Sequence, residues 1–180
     1  MHRGDGPSHA VIMGVSGTGK STVARALADN LGWVHVEGDL YHPPANISSM
    51  KAGVPLDDAA RHPWLQALSA AISHEHEAGR STVTSCSALK RTYRDLLRAA
   101  VPPGRLYVVH LYADAAVLAS RLAHRTGHFM PSSLLSSQYV CLEHLQQDEL
   151  GATVDVAAPR STVAARVDAH VSTWLSDRRL

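Results

Sequence analysis

One segment constrains the fold more than any other: Gly14-Val15-Ser16-Gly17-Thr18-Gly19-Lys20-Ser21, in the pattern G-x-x-x-x-G-K-[ST]. An apolar run from Ala10 to Gly14 precedes it and reads as a buried strand. A helix follows, with Val23, Leu27 and Leu31 on one face and Gly32 as its stop. Strand, glycine-rich loop and helix in that order point to a parallel α/β sheet with the loop at a strand's carboxyl end. The glycines let the backbone curl until several N–H groups point inward. Those donors, with the positive end of the helix, hold phosphates. Lys20 is expected to bridge the β- and γ-phosphates, and the Ser21 hydroxyl to ligate Mg²⁺. The loop therefore predicts a nucleoside triphosphate, held by Gly14, Ser16, Gly17, Thr18, Gly19, Lys20, Ser21 and Thr22.

The rest of the chain keeps the alternation of strand and helix. Strands are expected at residues 33–36, 81–85, 106–111 and 154–156, which with the first make five. Helices are expected at 115–124, 134–147 and 162–175, and over a segment starting at Leu89 and ended by Pro102-Pro103-Gly104. A turn capped by Asp57 or Asp58 leads to Pro63, which opens a longer helix ending at Gly79. The prolines and glycine between His42 and Pro55 leave room for a short helix only. A length of 180 residues suits one domain, with residues 1–8 as a flexible leader. There is no apolar signal segment and no stretch long enough to span a membrane. Cys86 and Cys141 form no C-x-x-C pair and read as reduced thiols of the cytoplasm.

The net charge of +1 argues against a nucleic-acid or membrane partner. The charges are nonetheless uneven. Between residues 85 and 125, Lys90, Arg91, Arg94, Arg98, Arg105, Arg121 and Arg125 face only Asp95 and Asp114, a net +5. Such a band suggests a small anionic ligand. Lys90, Arg94 and Arg98 recur every fourth residue, and Lys90 and Arg94 lie nearest the carboxyl end of the third strand. Both are candidates to grip a carboxylate or hydroxyls, Arg94 bidentately, whereas Arg91, Arg98 and Arg105 are assigned to solvent. Arg121 and Arg125 precede a loop containing Gly127 and read as the base of a lid over the nucleotide.

The second strand ends in Glu37-Gly38-Asp39. There Asp39 can take a proton from an attacking hydroxyl or hold a magnesium-bound water. His42 follows closely enough to hydrogen-bond a polyol. The third strand ends in Thr84-Ser85-Cys86-Ser87 and lacks the magnesium-binding aspartate on which motors and GTPases lean. The twelve histidines form no metal-ligand set.

Together these residues resemble the small P-loop gluconokinases over about residues 9–175. The resemblance rests on the phosphate loop and on Glu37-Gly-Asp-Leu-Tyr-His-Pro43 with Asn46 and Met50-Lys51. It also rests on Gly53-Val-Pro-Leu-Asp-Asp58 with Arg61 and Pro63-Trp-Leu65, and on Ser85-Cys-Ser-Ala-Leu-Lys90 with Tyr93-Arg-Asp-Leu-Leu97. Gly127-His-Phe-Met-Pro131, Ser137-Gln138 and Leu142-Glu143 complete it. It implies a P-loop NTPase fold of the nucleoside-monophosphate-kinase type: three layers around a five-stranded parallel sheet. It implies transfer of phosphate from ATP, with Mg²⁺, to the 6-hydroxyl of D-gluconate, and a homodimer. Residues 42–62 would cover the acceptor and residues 125–138 would form the lid. His128 and Gln138 would join the acceptor site, and Arg61, Lys90 and Arg94 would compete for the carboxylate. Arg121 would lie on the adenine side and Arg125 on the phosphate side, with the loop at Pro159 lining adenine. The alternatives are a kinase for another small polar acid of the shikimate type, a nucleoside monophosphate kinase, and a non-catalytic nucleotide-binding regulator.

Overall fold

The computed structural model describes residues 6–118 and 133–178. Five strands lie parallel in the order β2-β3-β1-β4-β5. They are β1 (His9–Met13), β2 (Val34–Glu37), β3 (Thr82–Ser85), β4 (Leu106–Tyr112) and β5 (Gly151–Asp155). The first strand is central, so helices cover it on both faces and its run is continuously apolar after His9 rather than alternating. Ala10 and Ile12 pack into the core shared with helices α1 (Lys20–Leu31) and α6 (Arg160–Asp177). Val11 and Met13 pack into the opposite core, with α3 (Asp58–Glu77) and α4 (Arg91–Arg98). The short helix α2 (Pro44–Lys51) and helix α5 (Ser133–Cys141) complete the described elements, with helical turns at 115–118.

On α3, Trp64, Leu65, Leu68 and Ile72 are buried. Burial of side chains this size contributes about 2 kcal/mol each. This anchors the helix against β1, whose carboxyl end carries the phosphate loop, and against Val36 of β2 and Cys86, the neighbour of Ser87.

Three boundaries depart from expectation. Helix α3 begins at Asp58 rather than Pro63, because the Asp57 carboxylate accepts a hydrogen bond from the Ala60 N–H at 2.8 Å and caps it there. Pro63 lies inside the helix and cannot donate to the Ala59 carbonyl. Helix α5 stops at Cys141, not 147, because the next residues are recruited elsewhere: the Glu143 N–H donates to the Leu89 carbonyl at 2.8 Å. Strand β5 starts at Gly151, three residues early; Gly-Ala-Thr carries little side-chain signal for an edge strand, yet it pairs in register from Val108 onward. Of the expected leader, residues 6–8 are described. Ser8 is buried and accepts a hydrogen bond from Arg178, and the Gly6 carbonyl accepts from Arg105, so residues 6–8 are held against the base of the sheet.

Candidate active site

The phosphate loop closes tightly between β1 and α1. Gly14 sits at φ +147°, and a Cβ there would meet the Leu111 carbonyl oxygen at 2.5 Å, so glycine is required. The Thr18 hydroxyl and the Lys20 ammonium both donate to the Val15 carbonyl, at 2.9 and 3.0 Å. The Ser16 N–H donates to Oε1 of Gln138, on α5, at 2.6 Å. Burial lowers the Lys20 pKa, and nearby Asp39 is the strongest opposing influence.

Asp39 lies on a tight helical turn, Gly38–Tyr41, directly after β2. Two contacts fix that turn. A Cβ at Gly38 would meet the Ser85 carbonyl at 2.2 Å, so only glycine permits this approach to β3. The Trp64 indole N–H donates to the Gly38 carbonyl at 2.7 Å. His42 stacks on the same indole with ring centroids 4.0 Å apart. Burial and, secondarily, the Arg61 charge push its pKa down to about 4, so the ring is neutral.

A cavity of about 520 Å³ joins these parts. Ser16, Gly17, Gly19, Lys20, Ser21 and Thr22 form one wall, Asp39, Leu40 and His42 another, and Gln138 closes a third with Ser137 and Leu134. Arg61 enters from α3, 8% exposed, its Nε donating to the Leu56 carbonyl at 3.0 Å. Among the described residues no carboxylate pairs with Arg61. A second cavity, about 850 Å³, adjoins the first through Gly17, Gly19 and Thr22. Thr18, Val156 to Ser161 and the start of α6 line it, Pro159 included.

Two expected acceptor residues lie outside both cavities. Arg94 is fully buried and makes a two-pronged pair with Glu149, Nη2 to Oε1 at 2.6 Å and Nε to Oε2 at 2.7 Å. Its Nη1 also donates to the Ala88, Leu89 and Glu143 carbonyls. That guanidinium is consumed inside the fold, and its assignment to the acceptor is corrected. Lys90 points to Asp58 at 2.7 Å, beside Tyr93, and does not reach the cavity lining. Arg91 and Arg98, assigned to solvent, are tied to Asp148, Asp95 and Glu149. Arg121, Arg125 and His128 lie outside the described residues, as does the expected lid before residue 133. The last part of that segment is helix α5.

Sequence reasoning gave Trp64 and Asn46 only as parts of a pattern and assigned neither a role. Ser87, Leu56 and Met50, which also line the first cavity, stood in the same pattern, likewise without a role in the site. Cys86, next to Ser87, is buried with its thiol pushed up to about 12, so it is not a nucleophile.

A phosphate-cradling loop with its lysine, a carboxylate at the end of the neighbouring strand pair and two communicating cavities define a P-loop kinase. A family model described as AAA domain matches residues 10–140. A gluconokinase of Gluconobacter oxydans (strain 621H) is 50% identical over 143 residues, covering 79% of each chain. The thermoresistant gluconokinase of Escherichia coli (strain K12) is 42% identical over 156 residues, 86% of this chain and 88% of its own. The crystal structure of a gluconokinase from Sinorhizobium meliloti 1021 matches with a TM-score of 0.84 and 45% identity, covering 95% of each chain. The chain belongs to the gluconokinase family.

Proposed function

We infer that the chain is an ATP-dependent gluconokinase, transferring the γ-phosphoryl group to the 6-hydroxyl of D-gluconate to give 6-phospho-D-gluconate and ADP. The observation that carries this reading is a single cavity lined by Lys20, Ser21, Asp39 and a buried arginine that, among the described residues, has no carboxylate partner. An anionic polyol needs a cation at one end and a proton acceptor at the other. Arg61 supplies the first and Asp39 the second. The loop N–H groups and Lys20, released from the Val15 carbonyl, hold the β- and γ-phosphates. The second cavity takes the nucleoside, with Pro159 on its wall. Ser16, Gln138 and His42 contact the acceptor or the transferring group; by the family resemblance Arg121 would serve the adenine side, Arg125 the phosphates and His128 the acceptor.

The donor set suits Mg²⁺: the Ser21 hydroxyl and the Asp39 carboxylate, both hard oxygens, line one cavity. When bound, the ion neutralises charge on the phosphates. Among the described residues no helix is long and apolar enough to cross a membrane. Two free thiols support a cytoplasmic enzyme, and the family supports a homodimer.

Coupled ADP release, measured with gluconate, shikimate, AMP or no acceptor, tests the reading. Release with gluconate alone is expected. Asp39→Asn is expected to lower kcat by at least about a hundredfold while ATP affinity persists. Equal release without any acceptor would sink the kinase assignment.

A further inference from the structure

Asn46, buried on α2, stands between two groups that decide its orientation. Its side-chain nitrogen lies 2.8 Å from the Ala60 carbonyl oxygen and 3.3 Å from His42 Nδ1. A carbonyl oxygen only accepts, so the amide must turn its nitrogen to Ala60. The reversed amide would press two oxygens together at that distance. The nitrogen carries two hydrogens. One goes to Ala60, which leaves the other for His42 Nδ1. That atom must then offer a lone pair, since an N–H there would face another N–H. A neutral imidazole has one ring proton, and it is therefore on Nε2. The ring plane is set independently by its stack on Trp64, 16° from parallel. Trp64 is itself immobilised, 1% exposed and bonded to the carbonyl one residue before Asp39. His42 lines the first cavity, and among the described residues its Nε2 has no hydrogen-bond partner.

We propose that Asn46 is a positioning residue that locks His42 in the Nε2–H tautomer, making His42 a fixed hydrogen-bond donor to an oxygen of the acceptor and not a base. The identity of that oxygen rests on the gluconate reading; the tautomer does not. A ring that accepts at Nδ1 carries one proton and no charge. Proton acceptance from the attacking hydroxyl then falls to Asp39. The Ala60 carbonyl on α3 thus sets Asn46 on α2, and Asn46 sets the hydrogen-bonding sense of the site. A donor fixed this way accepts hydroxyl or carboxylate oxygens and rejects an ammonium group at the same place. A 2-amino or 3-amino sugar acid should bind poorly if its nitrogen meets His42.

Ring ¹⁵N shifts of the ligand-free, full-length protein test the tautomer directly. His42 is assigned by the signal missing in His42→Gln. The expected spectrum has a protonated Nε2 and an unprotonated Nδ1 for this residue. In Asn46→Asp, which replaces the donor by an acceptor, the proton should move to Nδ1 or both nitrogens should carry one. Gluconate KM should then rise about tenfold, the scale of one lost hydrogen bond. His42→Gln places an amide N–H near the Nε2 position and His42→Asn does not, so gluconate KM should be about tenfold lower in the first than in the second. A wild-type ring protonated on Nδ1 would overturn the proposal, and so would an unchanged tautomer in a folded Asn46→Asp. Should that variant not fold, the wild-type spectrum and the two His42 variants decide. Absence of gluconate-dependent ADP release would instead remove the substrate reading and leave the spectrum as it is.

Discussion

Arg61 and Arg94 are both buried arginines, on helices packed against each other, and they meet opposite fates. Arg94 has a carboxylate partner inside the fold; Arg61 has none among the described residues and lines the cavity. A buried cation without a counterion is costly unless a ligand supplies the charge. In the proposed reading gluconate's carboxylate would do so, and a guanidinium fork suits it. Arg61→Gln should therefore raise gluconate KM by roughly 30- to 100-fold, the scale of a charge-assisted hydrogen bond. ATP KM should stay near wild type, and discrimination against a neutral polyol should shrink. Steady-state kinetics with both substrates would show this. An unchanged gluconate KM would transfer the carboxylate to another cation. The sequence made Arg61, Lys90 and Arg94 equal candidates for a physical reason. Side-chain spacing along one helix reveals which residues share a face, but not which distant carboxylate waits there. Asp39 and the loop were legible because their geometry is local: each lies within a few residues of a strand end. Glu149 lies 55 residues from Arg94, and no periodicity links them.

At the scale of elements, the part of the positive band that lies on α4 is a joint. Helix α4 contributes Arg91, Arg94 and Arg98, and the stretch between α5 and β5 answers with Asp148 and Glu149. The same stretch supplies a cap: Glu143 Oε2 accepts the Arg91 N–H at 2.6 Å, where Lys90 offers no side-chain cap of its own. The band was visible in the sequence, but its neutralisation depends on a chain reversal that α5's early end makes possible. Burial would raise the Glu149 pKa; hydrogen bonds from Arg94, the Gln146 N–H and Arg98 overcome this and hold it down at about 2. Removing one member of such a pair leaves a buried charge alone, which costs about 3–5 kcal/mol. Arg94→Met is thus expected to lower the urea midpoint strongly, whereas Arg94→Met with Glu149→Leu should recover much of the loss. Below its melting range, the single variant should keep the wild-type gluconate KM. A raised KM in folded Arg94→Met, with stability intact, would restore this residue to the acceptor.

At the scale of the whole molecule, three buried histidines among the described residues link stability to pH. His9, His42 and His110 lie at different places on the sheet and its cover, each with its pKa pushed down to about 4, chiefly by burial. In the unfolded chain they titrate near 6.5. The unfolded state therefore binds more protons between pH 6.5 and 4, and stability is full above that window and falls as the pH drops through it. Glu149 acts in a lower window: its contribution is present above about 4.5 and is lost as the pH falls toward 2. Acid unfolding should accordingly begin with the histidines. His110 isolates the effect, because it serves no site. It sits on β4 at 1% exposure, ringed by Tyr112 and His144, and neither of its ring nitrogens has a hydrogen-bond partner among the described residues. A buried polar group left unpaired costs about 1–3 kcal/mol, and an apolar side chain of similar volume avoids that cost. His110→Leu should therefore stabilise the protein by about 1–2 kcal/mol at pH 7. It should also remove one histidine's share of the acid slope, about 2 kcal/mol between pH 7 and pH 5. The gain over wild type should therefore be larger at pH 5 than at pH 7, and urea titrations at the two values measure it. A variant that loses stability at both pH values, or keeps the full wild-type slope, would show that His110 is held by a partner outside the described residues.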